Sequence, residues 1–418
     1  MTMTRASAPI LRSSLDPARK SIEGRLKILQ AGKSPLRREV VRFAFLLAWR
    51  IATHQPSRLL VSLSGLGFAV LLMLAQLGFR NALLDSSVEL LEQLDADVVI
   101  LAADKRSMSE RSPISRQRLT QSLSNPDVLA AYPFYLAILP FRNLDDDTLR
   151  PIRVLGFDPR TPAWRSAELD GLRGLLGPPD TMLVDRRSRK YYGRITPGPA
   201  QVGKRIMTIV GNFTLATDFE TDGNMVVSDQ TFFRLTAGDP GPGTVEMVLV
   251  RARPGADPSA LAKALSAQLP SDVIALSRSE LRARELEFWR SATPVSVVFG
   301  LGMAVGFLVG VVICYQILYT DVTDHLKEFA TLEAIGYGAR FVVAVVLSEA
   351  LILSLIALVP SIGAGVGLYA AIGELTGLLL RLTWERAGMI AVLTVGMCVL
   401  AGLLAVRKVL SADPADVF

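Results

Sequence analysis

The chain has 418 residues, a mean hydropathy of +0.37 and 20% charged residues against 50% hydrophobic ones, which excludes an ordinary soluble protein and points to a membrane class. The net charge of +6 does not call for nucleic acid, because residues 1–58 alone carry twelve Lys or Arg against three acids, as a cytoplasmic flank of a span does. The two cysteines, Cys314 and Cys398, both fall in apolar runs, so no disulfide framework is expected; inert packing outweighs a Cys314–Cys398 pairing.

Residues 1–35 mix Ser, Pro, Arg and Lys without a period and read as a disordered cytoplasmic tail. They are too polar, and the first apolar run comes too late, for a signal peptide. "GKS" at Gly32–Ser34 is no phosphate loop: Lys27 stands where the first glycine is required, and no buried strand precedes it. Any ATP chemistry is therefore assigned to another chain. Residues 36–55 hold a short apolar core bracketed by Arg37, Arg38, Arg42 and Arg50. That composition predicts an interfacial helix with Phe43, Phe45 and Trp49 at the headgroup boundary.

Four stretches reach the ~20 apolar residues that cross a bilayer: Leu59–Phe79, Thr293–Tyr319, Phe341–Gly373 and Ala387–Val406. They place spans at 56–80, 291–319, 341–373 and 387–406. The third is long for one straight span. Either Pro360 and its neighbouring glycines kink it, or its far end leaves the membrane. Basic residues before the first span, and Arg407 and Lys408 after the last, predict cytoplasmic termini. Residues 81–290 and the short loop 374–386 then lie outside the cytoplasm, 320–340 lies inside, and 407–418 is a cytoplasmic tail of a multi-pass inner-membrane protein.

The outer domain reads as α+β. Strands are expected at 96–102, 132–142, 149–157, 244–252 and 272–277, with helices at 115–124 and 257–269. Two strand–helix–strand units predict ferredoxin-like packing of helices on a sheet. The Pro- and Gly-rich segment 160–243 reads as an inserted subdomain. Residues 277–290 read as a charged helix running toward the second span as a stalk. The two histidines, His54 and His325, are far apart, and the acids Asp145–Asp147 sit at a turn, so no metal site, catalytic centre or cofactor is expected.

"YTDVTDHLKEFATLEAIGYGARF", residues 319–341, is a short charged stretch between two apolar runs. On one helix, Val322, Leu326, Phe329, Leu332 and Ile335 form an apolar stripe. Asp321, Asp324, Lys327, Glu328 and Thr331 take the other sides, and "GYG" at 336–338 ends the helix. A connector lying on lipid would favour a basic polar face. Asp321, Asp324, Glu328 and Glu333 against Lys327 and Arg340 suit protein docking better. With His325 and Gly336 these residues form the candidate coupling set. Glu349 stands alone in the third span, where an ionisable group faces protein. A packing hydrogen bond to Tyr315, Gln316 or backbone is the first reading; a proton relay is the second.

"VTDHLKEFATLEAIGYGARFV" resembles the cytoplasmic loop of MacB/FtsX/LolC-type ABC transporter permeases, whose E-x-x-x-L-x-A-x-G pattern is matched by Glu328, Leu332, Ala334 and Gly336. Residues 58–101, 319–338 and 348–361 are similar to DevC-type permeases. The resemblance implies four spans, a porter-type outer domain and a homodimer. It further implies a separate DevA-like ABC ATPase, a DevB-like membrane-fusion protein and a TolC-like outer-membrane channel. The function implied is a mechanically coupled exporter of glycolipid or similar amphiphilic cargo. The alternative is an FtsX-like regulator that activates a periplasmic hydrolase. A membrane-anchored sensor would explain the topology but not the match at 319–340.

Overall fold

The computed structural model describes residues 42–50, 56–144, 147–193, 195–215, 217–239, 241–291, 294–334 and 337–410. Two compact units emerge. One holds Met1–Val70, Gly306–Ser361 and Gly388–Phe418; the other holds Leu71–Val305 and Ile362–Ala387.

Helix α1 (residues 42–50) is followed by α2 (Pro56–Gln93), a run of leucine, alanine and valine that ends in the polar turns DSSVELLEQ. At 1.5 Å per residue its 38 residues span ~57 Å, far more than the ~30 Å of hydrocarbon. Its last turns accordingly enter the second unit's core, where Leu90 and Leu91 are buried.

The sheet of that unit runs from β1 (Val98–Ala102) through β3 (Val128–Arg142), β4 (Leu149–Phe157), β5 (Thr181–Asp185), β6 (Gly198–Val202), β7 (Arg205–Phe213), β8 (Asn224–Ser228), β10 (Met247–Ala252) and β11 (Val273–Ser277). Its nine strands lie in the order β11-β1-β10-β3-β4-β8-β5-β7-β6. A separate pair joins β2 (Ile114–Ser115) to β9 (Thr244–Val245). The strands of the Pro- and Gly-rich segment 160–243 continue the same sheet: β8 pairs in parallel with β4, and β5 pairs with β8.

Both faces of the sheet are covered, because side chains alternate between faces along each strand. Val98, Ile100, Tyr135, Val154 and Val250 face one cluster with Leu261 and Leu265 of α6 (Pro258–Gln268). Val99, Leu101, Phe134, Leu155 and Leu249 face the other, with Leu91 of α2, Trp164 and Leu281 of α7 (Arg278–Ser291). Short helices α3 (Gln117–Ser122), α4 (Ala167–Leu172) and α5 (Asp229–Leu235) fill the edges. The start of α6 is set by sequence: Asp257 caps the N–H groups of Ser259 and Ala260 and Pro258 follows. The mixed α/β core is as expected.

Among the described residues, four helices are long and apolar enough to cross a membrane: α2, α8 (Pro294–Asp324), α10 (Ala339–Thr376) and α11 (Trp384–Leu410). The helix α10 continues through Pro360, so the long third run is one helical element whose end at Thr376 lies beyond membrane length. The expected junction between the charged stalk α7 and the second span falls on residues 292 and 293, outside the described residues.

Within the first unit the helices approach closely where a side chain is missing. A Cβ on Gly310 of α8 would collide with Met397 of α11 and come within 3.3 Å of Ala69 of α2. Tight contact through small residues holds helices together where lipid offers no hydrophobic drive. Cys314 and Cys398 are free and buried.

Candidate functional site

The candidate coupling stretch forms two helices. The second span α8 runs on to Asp324; after a turn at His325 a new helix, α9 (Leu326–Ala334), begins. The single amphipathic helix expected over 319–340 is thus broken. The cause is local: His325 Nδ1 lies 2.9 Å from the carbonyl of Asp321, so the ring caps the helix end. The carbonyl of His325 then accepts the N–H groups of Glu328 and Phe329, both at 3.1 Å, and opens the next turn.

Asp321 and Asp324, at spacing i and i+3 on α8, share one face. That face meets Arg58, two residues into α2. Arg58 Nη2 lies 2.7 Å from Asp321 Oδ1, and Nη1 lies 2.6 Å from Asp324 Oδ2. A planar guanidinium suits such a two-pronged grip, which a lysine could not reproduce. The two acids therefore tie the start of the first span to the end of the second and are not a free docking face. In the sequence Arg58 reads only as part of the basic flank of the first span, because its partners lie more than 260 residues away.

On α9, Lys327, Glu328 and Thr331 are exposed, while Phe329 is only 6% exposed. Phe329, a member of the candidate coupling set, is buried, as is Val322 of the same apolar stripe. The side chain of Leu332, together with Ile335 and Gly336, lies outside the described residues.

Glu349 of α10 is 2% exposed, and its Oε1 has no hydrogen-bond partner among the described residues. It faces Asp321, Cys314 and Arg58. The polar side chain that its carboxyl meets is Asp321, where Tyr315, Gln316 or backbone was expected. On α1, Phe43 and Trp49 are about half exposed, and Phe43 stacks on Tyr337 and Phe341 at 6.3 and 5.9 Å between centroids. The arrangement contains ion pairs and packing contacts, and among the described residues no group of three or more His, Cys, Asp or Glu could hold a metal. It comprises a short helix with a polar exposed edge, joined in the chain to the ends of two spans.

Two family comparisons match. Residues 59–268, just over half of the chain, match the MacB-like periplasmic core domain. Residues 300–414 match the FtsX-like permease C-terminal domain. No curated protein matches the sequence. Among solved structures, the periplasmic region of MacB from Actinobacillus actinomycetemcomitans is similar at 9% identity, covering 44% of this chain and 90% of that one, with a TM-score of 0.31. The extracellular domain of the noncanonic ABC-type transporter YknZ from Gram-positive bacteria is similar at 10% identity, covering 44% and 99%, with a TM-score of 0.30. A domain of a permease protein from Porphyromonas gingivalis is similar at 20% identity, covering 43% and 88%, with a TM-score of 0.29.

Proposed function

The chain belongs to the MacB/FtsX-like ABC permease family, and we propose that it is the DevC-type permease subunit of an exporter. It couples ATP hydrolysis on a separate ATPase to movement of its periplasmic domain. The observation that carries this reading is the build of α9. Its exposed edge presents Lys327, Glu328 and Thr331, while buried Phe329 fixes the helix to its unit. The ATPase grips that edge. The Arg58 fork passes the resulting pull from the end of α8 to the start of α2. Two copies of the chain, two ATPase subunits, a membrane-fusion protein and an outer-membrane channel complete the machine, and the cargo is amphiphilic.

Co-purification with the partner ATPase in detergent tests this reading. Reversing charge at a docking surface penalises binding by like-charge contact. Glu328→Lys is expected to reduce ATPase recovery on the order of ten-fold or more. Phe329→Ala is expected to do the same by unseating α9, whereas Lys204→Ala on the sheet domain leaves recovery unchanged. Normal ATPase binding and export by both α9 variants would make α9 a lipid-lying connector and remove the coupling assignment. The FtsX-like match over 300–414 supports a second reading, a regulator using the same grip. Recovery of a periplasmic hydrolase in place of a fusion protein would favour it.

A further inference from the structure

The run "DRRSRK", residues 185–190, plays no part in coupling. Its residues Arg186 to Lys190 line a cavity of about 690 Å³, whose other wall is the last two turns of α10, from Tyr369, and the segment that follows, through Arg381. Its lining combines basic and apolar side chains.

The charges at its wall do not cancel. Arg186 is occupied by Glu168 at 2.5 Å and Arg189 by Asp222 at 2.8 Å. Arg187, Lys190 and Arg381 also line the cavity, and none of them has an ion-pair partner among the described residues. The lining contains one acid, Glu374. Beside these cations lie Leu375, which is 79% exposed, and the half-buried Leu379 and Leu380. Unpaired cations and uncovered leucines therefore share one hollow where a spanning helix ends.

The walls are held in place. Gly377 has φ +75°, and a Cβ there would sit 2.6 Å from the carbonyl of Arg187 and 2.8 Å from Thr217 Oγ1. The loop after α10 is thereby seated directly on the backbone of the basic run. The Arg187 N–H is itself held by Asp185 Oδ1 at 3.0 Å. On the other side the Tyr369 hydroxyl donates to the carbonyl of Leu74 at 2.6 Å and fixes the end of α10 against α2. A preformed, partly apolar hollow with a few convergent charges is the usual form of a small-molecule site.

We infer that this cavity binds an anionic amphiphile: a phosphate-class headgroup held by Arg187, Lys190 and Arg381, with the first part of its acyl chain along Leu379 and Leu380. Guanidinium and ammonium groups at a membrane boundary recognise anionic headgroups. A free phosphate would leave the leucines unused, and a neutral lipid would leave the cations unpaired. The inference is independent of how α9 meets an ATPase.

The test uses the full chain in dodecyl maltoside and counts retained lipid by native mass spectrometry. Phosphatidylglycerol is expected to be retained on the order of ten-fold better than phosphatidylcholine of the same chains. The triple variant Arg187→Ser, Lys190→Ser, Arg381→Ser is expected to lose that preference with an unchanged melting temperature. The single change Leu379→Glu, which places an acid in the hollow, is expected to lose it as well, so that poor folding of the triple variant does not leave the question open. Lys204→Ser retains it. Equal retention of the two lipids, or undiminished preference in the variants, overturns the site. Release of phosphatidylglycerol by inorganic phosphate as readily as by dihexanoyl phosphatidylglycerol overturns the amphiphile and leaves a site for free phosphate.

Discussion

Lys105 and Glu246 form an ion pair with side chains only 1% and 0% exposed. The same Glu246 oxygen accepts the N–H of Ser112 at 3.0 Å. Removing one partner of a buried pair strands the other charge, at a typical cost of ~3–5 kcal/mol, whereas replacing both is often nearly neutral. Lys105→Met should therefore lower the melting temperature sharply, and adding Glu246→Leu should recover most of the loss; a single variant that melts like the parent would contradict the pairing. Glu285 offers a pH signature. Burial pushes its carboxyl from 4.5 up to about 6, against bonds from the Met108 N–H and the Trp289 indole that favour the charged form. An acid whose folded value is raised stabilises the fold most below about 4.5, and that contribution is lost as pH climbs through about 6. The loss is at most about 2 kcal/mol. Thermal melts from pH 5 to 7 should show the parent declining more steeply than Glu285→Gln; parallel curves would rule the titration out. Neither feature was legible in the sequence. Lys105 stands in "AADKRS", which reads as a solvated turn, and its partner is supplied by the bend between β9 and β10, 141 residues later.

At the level of elements, strands with strong β-branched runs were readable from their own residues, among them "VVILA" of β1 and "MVLVRA" of β10. Short strands were also expected in 160–243, but as an inserted subdomain; their place in the main sheet was not readable, because it rests on β8 pairing with β4 and on β6 pairing with β3, contacts distant in sequence. The break at His325 was equally hidden. The apolar spacing from Val322 to Phe329 continues across it, and only the histidine's own bond to the Asp321 carbonyl marks the end. That break separates two tasks: Asp321 and Asp324 hold Arg58, and α9 presents its exposed edge. Arg58→Ala should consequently leave ATPase co-purification intact while abolishing export in a transport assay. Loss of both together would mean that Arg58 supports α9 itself and does not act downstream of it.

For the whole molecule, the orientation expected from the basic flanks is checked by cysteine labelling in intact cells. Cys314 and Cys398 are buried and should stay silent, so Lys204→Cys and Glu328→Cys report alone. A membrane-impermeant maleimide is expected to label position 204 and not 328; the reverse result would invert the topology. Within the sheet domain, β3 stands out by length. Its 15 residues pair with β10 at one end, with β4 over Phe134–Arg142, and with β6 at Phe141 and Arg142. One unbroken strand thus borders both the flanking and the central parts of the sheet. Segment 160–243 is consequently not a cassette that can be traded between relatives. A chimera that replaced it with a flexible linker would strip the parallel partner from β4 and leave a long, apolar edge open to other chains. Such a graft should self-associate, and a working one must carry its own strands in register with β3 and β4.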